Sequence, residues 1–327
     1  MSKRRKIRMR AGGRAGWSAI FAIALAIGWQ GGLPGLERQA AAASREWTPE
    51  VFDYDAPVRL EIVEQGEVKD GGIAGTRQYE FRFRNLRGEE VPVLVTLPER
   101  GKGPFPAVLL VHALGGDRRQ ITREMGKTLT LRGFACVAPD LPLHGDRAGD
   151  AKPEELLACE DVAQAYRNVV GAIIDIRQTL DAMKTRKDLD MDKGVPVIGY
   201  SLGAWFGTLA GSADRRISML VLQGAGTGAQ DGKSPVSGVG GLFGGRRSEK
   251  TLLDRYATIR PEVAVAEFAP RPLLMQNGKK DPFIPEDAAR NLYRAARAPK
   301  ELKWYDAGHV MPEKAAADAV EWIVKNR

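Results

Sequence analysis

Polar and apolar residues follow two different patterns along this chain, and the change between them falls at Pro106. Between residues 58 and 97 they alternate, as in the stretch 79–84, and glycine-containing turns separate the runs. This pattern predicts antiparallel strands with one face in water. Beyond Pro106, short apolar runs alternate with longer segments of helical character. That alternation predicts βαβ units, and hence a mostly parallel, doubly wound sheet with helices on both faces.

The predicted strands and helices of this second part take turns along the chain. The strands are expected at 107–111 (the third of the sheet), 135–138, 195–198, 219–222 (the sixth), 272–276 and 302–305, and the helices at 121–131, 154–183, 204–210, 286–296 and 313–325.

Glycine interrupts this alternation after the sixth strand. Residues 224–245 contain nine glycines, and helical composition returns over 249–269. We therefore expect residues 58–327 to form a single α/β domain with a glycine-rich insertion, 224–269.

The net charge of +8 comes from one end of the chain. Seven basic residues and no acidic ones lie within residues 1–14, so the rest carries a net charge of only +1. The charge therefore gives no reason to expect a nucleic-acid partner.

The order of residues that follows this basic segment is typical of a secretory signal peptide. An apolar run covers 15–29, and the small residues 40–44 come next, so that cleavage is expected after Ala43. The apolar run is shorter than the roughly 20 residues that cross a bilayer. We expect an exported protein, periplasmic or extracellular, whose residues 44–57 cover the surface. An uncleaved N-terminal anchor in the membrane is the alternative.

The two cysteines, Cys136 and Cys159, could pair in an exported protein. Their positions in an apolar strand-like run and in a helical run favour two buried free thiols instead. Neither has a His or Cys neighbour at metal-binding spacing, so we expect no zinc site.

A Gly-x-Ser-x-Gly motif, Gly199 to Gly203, joins the apolar strand 195–198 to the helix 204–210. A turn this tight presses the residues on either side of Ser201 against each other and against the neighbouring strand, where a Cβ would collide. The strand, turn and helix together predict a nucleophile elbow, which projects the hydroxyl of Ser201 from the top of the sheet.

A serine hydroxyl becomes nucleophilic only when a base removes its proton, and the chain has three histidines. His112, His144 and His309 each follow a predicted strand, so all three lie near the sheet edge where ligands bind. In this architecture the nucleophile precedes the acid and the acid precedes the histidine, which selects His309.

The carboxylate that orients the imidazole is expected to be Asp281, in the turn directly after the strand 272–276. Asp281 has an alternative role as a turn or helix-start aspartate before proline. Asp306 is a rival because it lies three residues before His309, although such proximity usually points two side chains apart.

Two backbone amides are expected to bind the oxyanion of an acyl-transfer reaction. One is that of Leu202, directly after the nucleophile, and the other comes from the loop after the third strand. This loop reads His112-Ala113-Leu114-Gly115-Gly116, a His-Gly-x-Gly-Gly pattern with Ala113 at the first glycine. We expect the Leu114 amide to be the donor, with Ala113 second, and His112 to brace the loop.

Five motifs occur in the order that the α/β-hydrolase superfamily shows, and the resemblance covers about residues 90–327. They are His112 to Gly116, Asp140-Leu141-Pro142-Leu143-His144-Gly145, Gly199 to Gly203, the segment from Ala269 to Asp281, and Gly308-His309.

Within the superfamily the chain most resembles dienelactone-hydrolase-like and acetyl-xylan-esterase-like proteins. The resemblance implies the α/β-hydrolase fold, a serine esterase with the triad Ser201, Asp281 and His309, and a structural loop beside the pocket for His144. Dienelactone hydrolases resemble this fold but carry a cysteine where this chain has Ser201, so their substrate does not transfer.

The sequence thus predicts an exported serine hydrolase that cleaves small carboxylic esters through an acyl-enzyme. This hydrolytic chemistry needs only water, so we expect no other metal and no organic cofactor. A peptidase or amidase with the same triad, and a catalytically silent hydrolase-like binding protein, are the alternatives. The acyl group, the leaving group and the oligomeric state stay open. Tyr200, Trp205, Phe243 and Phe283 are each a candidate for the pocket lining or for core packing.

Overall fold

The computed structural model describes residues 49–54, 60–68, 72–157, 162–227 and 259–327. The predicted signal peptide or anchor, Cys159, Phe243 and most of the glycine-rich insertion lie outside these residues. The domain boundaries, the pairing of the cysteines and the role of Phe243 therefore stay predictions. None of the helices in the described ranges combines the length and apolar character that spanning a bilayer requires.

Within the described residues, ten strands form one mixed sheet. They are β1 Glu61–Glu67, β2 Thr76–Arg84, β3 Glu90–Pro98, β4 Phe105–Val111, β5 Ala135–Pro139, β6 Leu189–Asp190, β7 Val195–Tyr200, β8 Ile217–Gln223, β9 Leu273–Gly278 and β10 Lys300–Tyr305.

The strand order is β1-β2-β3-β5-β4-β7-β8-β9-β10, and the two-residue β6 pairs with β4 off this path. The pairs from β1 to β5 along this order are antiparallel. The pairs from β5 to β10 are parallel. The prediction of a mostly parallel sheet with antiparallel N-terminal strands is therefore confirmed.

Helices cover both faces of the sheet. They are α1 Arg118–Leu131, α2 Val162–Lys184, α3 Leu202–Ala213, α4 Pro261–Ala264, α5 Glu286–Ala295 and α6 Glu313–Asn326, with short 3-10 turns at Pro49–Phe52, Gly145–Arg147, Pro153–Leu156 and Val265–Phe268. Apolar side chains of α1 and α6 pack with one face of the sheet. Those of α2, α3 and α5 pack with the other face, as a doubly wound sheet requires.

Two helix starts differ from the sequence expectation. The helix expected from residue 121 begins at Arg118, because the Asp117 side chain accepts the Gln120 N–H at 2.6 Å and so caps it. The helix expected over 154–183 is a 3-10 turn, Pro153–Leu156, followed by α2 from Val162.

Two segments are more deeply buried than the sequence pattern indicates. β2 alternates between buried and partly exposed positions as expected, whereas β3 is buried throughout after its first residue because α1 packs on its second face. In the segment expected to cover the surface, Phe52 is fully buried in the core.

Strand register brings the ends of the central strands to one level. Val111 of β4 lies opposite Gly199 of β7, and Tyr200 of β7 lies opposite Gln223 of β8. The residues that follow these strands therefore meet at the carboxyl edge of the sheet, where open α/β sheets bind their ligands.

Candidate active site

Ser201 occupies a strained turn between β7 and α3. Its φ of 53° and ψ of −110° lie in a region that a residue with a Cβ rarely adopts. Such conformations cost about 1–3 kcal/mol each and persist only where the surroundings enforce them. The Ser201 N–H donates to the Gln223 carbonyl at 2.8 Å, and its own carbonyl accepts the Ala204 N–H at 2.9 Å. The turn is therefore held from the neighbouring strand and from the helix.

The two glycines of the elbow are required by close backbone contacts. A Cβ on Gly199 would collide with the carbonyl group of Gly203. A Cβ on Gly203 would collide with the carbonyl oxygen of Val111, at the end of β4. The residues beside the serine thus press against each other and against the neighbouring strand, as the sequence motif indicates.

Ser201, His309 and Asp281 lie in one hydrogen-bonded line. The Oγ of Ser201 is 2.8 Å from Nε2 of His309, and Nδ1 of His309 is 2.7 Å from Oδ2 of Asp281. The Asp281 side chain is fully shielded from solvent, while the imidazole keeps 12 % of its surface exposed. A carboxylate accepts hydrogen bonds, so Nδ1 carries the proton and Nε2 is free to accept the serine hydroxyl.

Asp281 also holds its own turn, so its carboxylate makes both of the contacts weighed from the sequence. Its second oxygen, Oδ1, accepts the N–H groups of Phe283 at 2.8 Å and Ile284 at 3.0 Å. The rival carboxylate of Asp306 points away from His309. It is 77 % exposed, and its Oδ1 lies 2.7 Å from Nζ of Lys280.

The loop that carries His309 depends on two glycines for which sequence analysis identified no role. A Cβ on Gly278, the last residue of β9, would collide with the carbonyl oxygens of Ala307 and Gly308. Gly224, directly after β8, has a φ of +61°, and a Cβ there would lie 3.1 Å from Cε1 of His309. Both glycines stand at the ends of parallel strands, which is the only sequence signal that points to them.

The predicted oxyanion loop is braced by His112. Its Nε2 accepts the N–H of Leu141 at 3.0 Å, so its Nδ1 carries the proton and donates to the carbonyl oxygen of Ala113 at 2.8 Å. The Gly116 N–H donates to the same oxygen at 3.0 Å. In a trans peptide the following N–H points away from the carbonyl. The Ala113 carbonyl faces His112, so the Leu114 N–H of the same peptide points away from His112.

Leu202 is the first residue of α3. The N–H groups in the first turn of a helix have no acceptor within that helix, so the Leu202 N–H has none in α3. Leu202 follows Ser201 directly, and the backbone of Gly203 lies against the end of β4, from which the His112 loop begins. Both amides expected to bind an oxyanion thus belong to segments that meet beside the elbow.

His112 and His144 are buried neutral residues. Their rings lie 5.0 Å apart, and Nδ1 of His144 is 2.8 Å from the carbonyl oxygen of Pro142. Burial, together with the neighbouring imidazole of His144 and the positive charges of Arg147 and Arg118, lowers the pKa of His112 to about 3. Burial also lowers the pKa of His144. The structure brings neither imidazole into the line of Ser201, His309 and Asp281.

A buried ion-pair network, which sequence analysis missed, fixes the loop that carries His144. The Asp140 carboxylate accepts the backbone N–H groups of Arg118 at 2.8 Å and Asp146 at 2.9 Å, and it pairs with the Arg118 guanidinium. Arg118 is fully buried, and its guanidinium also pairs with Glu80 at 2.9 Å and with Asp146 at 2.6 Å. This network joins the start of α1, which follows the oxyanion loop, to the loop after β5.

The other candidate pocket residues divide between packing and the site. Phe283 meets the His309 ring edge-on, with ring centroids 5.2 Å apart. The indole N–H of Trp205 donates to the carbonyl oxygen of Ile259 at 2.9 Å, which ties α3 to the chain before α4. Across the described ranges, no group of three or more His, Cys, Asp or Glu side chains is placed to hold a metal ion.

Comparisons with known proteins agree with this architecture. Residues 91–322 match the model of the dienelactone hydrolase family. A Yersinia pestis protein provisionally named carboxymethylenebutenolidase is 27% identical over 233 residues, which is 68% of this chain and 74% of that protein.

Among solved structures, acetyl xylan esterase 1 from Thermoanaerobacterium sp. JW/SL YS485 superposes with a TM-score of 0.66 at 17% identity, over 90% of this chain and 98% of the esterase. A cold-adapted esterase from an Arctic intertidal metagenomic library gives a TM-score of 0.59 at 19% identity, over 79% of this chain and 97% of that one. These likenesses confirm the predicted α/β-hydrolase fold. The family model matches more than half of the residues of this chain, so the chain belongs to the dienelactone hydrolase family.

Proposed function

We propose that this protein is a serine hydrolase that cleaves carboxylic esters of small molecules through an acyl-enzyme. The observation that carries the proposal is the line of hydrogen bonds from the Ser201 hydroxyl through His309 to Asp281. It lies at the carboxyl edge of the sheet, on a strained elbow that presents the hydroxyl. The family match and the esterases among the structural neighbours support a hydrolytic reaction on esters.

In the first half of the reaction, Ser201 Oγ attacks the acyl carbon while Nε2 of His309 takes the hydroxyl proton. The Asp281 carboxylate stabilises the imidazolium that forms and keeps its Nδ1 proton in place. The amides of Leu202 and Leu114 donate to the developing oxyanion, and the loss of one such donor costs about 3–4 kcal/mol. The imidazolium then passes its proton to the leaving alcohol, and the acyl group stays on Ser201.

In the second half, a water molecule attacks the acyl-enzyme. His309 accepts a proton from the water and returns it to Ser201 Oγ as the carboxylic acid leaves. The products are one acid and one alcohol, and no redox partner takes part.

The serine makes the proton acceptor more important than it is in a relative with a thiol. A cysteine is partly ionised and strongly nucleophilic near neutral pH, whereas a serine hydroxyl needs a base in contact with it. The 2.8 Å distance between Ser201 Oγ and His309 Nε2 meets that requirement without rearrangement.

The experiment is hydrolysis of p-nitrophenyl esters of increasing acyl length by the wild type and by Ser201→Ala. We expect the wild type to favour one range of acyl lengths and Ser201→Ala to lose hydrolysis while keeping its fold by circular dichroism. Ser212→Ala is the matched control, because Ser212 lies in α3 and donates to the Ala264 carbonyl at 2.8 Å, away from the triad.

Two results would contradict the proposal. If Ser201→Ala kept its hydrolysis, Ser201 would not be the nucleophile. If the wild type reacted with neither esters nor a fluorophosphonate probe, a silent binding protein would be favoured. Anilides of the same acyl groups test the amidase alternative, which requires anilide turnover comparable to ester turnover.

We also propose that the chain is exported behind residues 1–43, as the basic, apolar and small-residue segments indicate. N-terminal sequencing of the protein from a periplasmic or culture fraction is expected to begin at Ser44. Recovery of the intact chain in the membrane fraction would instead support the anchored alternative.

A further inference from the structure

We infer that Tyr200, the residue before the nucleophile, is a positioning residue that holds His309 in line with Ser201. This inference rests on the proposed function, because it names how the same site keeps its base aligned. The carrying observation is that Tyr200 contacts His309 twice, through its hydroxyl and through its ring.

The hydroxyl of Tyr200 anchors the backbone of the histidine. It donates to the carbonyl oxygen of His309 at 2.8 Å. His309 lies in the irregular loop between β10 and α6, so neither a helix nor a strand fixes its main chain. A side chain from another element therefore supplies the constraint that regular secondary structure does not.

The ring of Tyr200 fixes the plane of the imidazole. The two rings are stacked, with centroids 5.5 Å apart and planes 25° apart. Phe283 meets the imidazole edge-on, and Gly224 leaves the space that a Cβ would fill 3.1 Å from His309 Cε1 and 3.5 Å from the Tyr200 ring. The imidazole is thus bounded by aromatic rings and backbone as well as by its two hydrogen-bond partners.

The position of Tyr200 in the chain explains why this contact aligns the site. Tyr200 is the last residue of β7, a fully buried central strand, and it is bonded directly to Ser201. One rigid segment therefore places the nucleophile through its backbone and the base through its phenol. A shift of β7 would therefore act on both groups, and the Tyr200 contact favours a maintained distance between Ser201 Oγ and His309 Nε2.

The Tyr200 hydroxyl is a hydrogen-bond donor near neutral pH. Burial, with the negative charges of Glu124 and Asp281, raises the pKa of Tyr200 well above its ordinary value. The phenol therefore remains protonated, and its single proton goes to the His309 carbonyl.

The test compares Tyr200→Phe, which keeps the ring and removes the hydroxyl, with Tyr200→Leu, which removes both. Tyr305→Phe is the matched control. Tyr305 is the last residue of β10, the strand at the end of the strand order. Its buried hydroxyl accepts from Gln276 at 2.6 Å and donates to Asp318 at 3.0 Å, so this variant also loses a buried phenol hydroxyl.

For Tyr200→Phe we expect kcat on the preferred ester to fall about tenfold or more with KM within about twofold, because misplacing a catalytic group by about 1 Å costs up to about 100-fold. The rate of fluorophosphonate labelling at Ser201 should fall by the same factor. Tyr200→Leu should lose more, and Tyr305→Phe should keep the wild-type kcat and labelling rate even where its melting temperature drops.

A readout that needs no ester separates this inference from the proposed function. In protein labelled with ¹⁵N-histidine, the chain's three histidines give a simple spectrum, and the His309 imidazole signal is the one that His309→Ala removes. We expect Tyr200→Phe to shift or broaden this signal, whereas Tyr305→Phe leaves it in place. If the wild type hydrolyses no ester, the proposed function fails while this spectrum still decides the role of Tyr200. The inference would be overturned if Tyr200→Phe kept the wild-type kcat, labelling rate and imidazole signal. A rise in KM alone would also overturn it, because that result indicates contact with the substrate.

Discussion

Asp281 Oδ2 lies 2.7 Å from His309 Nδ1, while the second oxygen of the same carboxylate accepts the N–H groups of Phe283 and Ile284. The carboxylate thus has one face toward the proposed base and one face that holds its own turn. Its side chain is fully shielded from solvent, which strengthens both contacts.

Asp281→Asn should separate these two faces. The amide oxygen can still accept the N–H groups of the turn, but its NH₂ group faces Nδ1 and favours the wrong imidazole tautomer. We expect kcat for the preferred ester to fall about 10⁴-fold, as in other triads, with little change in the free energy of unfolding. Ester assays and urea unfolding measure the two effects.

Asp306→Asn is the control, since its carboxylate is exposed and paired with Lys280. It should keep wild-type kcat. The opposite result, with Asp306→Asn inactive and Asp281→Asn active, would reassign the acid to the rival residue.

The parts of the fold that sequence predicts best are those that local patterns determine. Continuous apolar runs such as 195–198 have no face that tolerates water, so they indicate buried parallel strands. The need for glycine at position 203 is predictable from sequence, because a tight turn from strand to helix leaves no room for a Cβ. The burial of the second face of β3 is not predictable from local sequence, because it results from packing against α1, which begins 20 residues after β3 ends.

In the site, the order of motifs selects the residues, and tertiary contacts decide between rivals. Asp281 and Asp306 both follow a strand end, and the structure separates them, because Asp281 is buried against His309 while Asp306 is exposed and pairs with Lys280. Arg118 lies before the helix that the sequence predicts over 121–131, yet it is fully buried among three carboxylates. Sequence pattern gives no signal for such a position, because the compensating charges come from two other segments, β2 and the loop after β5.

Gly203→Ala tests the close approach of the elbow to β4. The added Cβ would meet the Val111 carbonyl oxygen, and backbone cannot move aside as a side chain does. We expect the free energy of unfolding to fall by about 3 kcal/mol or more, and ester hydrolysis to be lost because the Leu202 amide is displaced.

Gly207→Ala, one turn further along α3, is the matched control. Its Cβ would meet only the end of the Val197 side chain, at 3.3 Å. Because Ala favours a helix over Gly by up to about 1 kcal/mol, we expect stability within about 1 kcal/mol of the wild type. Equal urea midpoints for the two variants would contradict the steric argument.

The buried histidines should make the protein less stable as the pH falls below about 6.5. The pKa of His112 is lowered from its ordinary 6.5 to about 3, so between these values the unfolded chain binds a proton that the folded chain does not. Stability from this group is therefore full above pH 6.5 and is lost as the pH falls toward 3, by at most about 1.4 kcal/mol per pH unit. His144, whose pKa is also lowered, contributes with the same sign.

Urea unfolding of the wild type and of His112→Gln between about pH 7.5 and 5 measures this contribution, because most carboxylates titrate below that window. We expect a shallower dependence on pH in His112→Gln, whose side chain has no charge to gain. Parallel curves for the two proteins would show that His112 titrates equally in both states.

Arg118→Met should destabilise the protein strongly and also slow the proposed reaction. The variant leaves the fully buried Asp140 without its guanidinium, and breaking a buried ion pair from one side costs about 3–5 kcal/mol. Activity should fall as well. Asp140 precedes Leu141, whose N–H donates to His112, and His112 orients the Leu114 amide through Ala113.

Arg132→Met is the control, since Arg132 pairs with Glu321 in solvent, where such pairs contribute about 0–1 kcal/mol. Urea unfolding gives the stability of both variants, and kcat at a temperature where both are folded gives the effect on the loop. A stable Arg118→Met variant with wild-type kcat would mean that the buried network neither supports the fold nor holds the oxyanion loop.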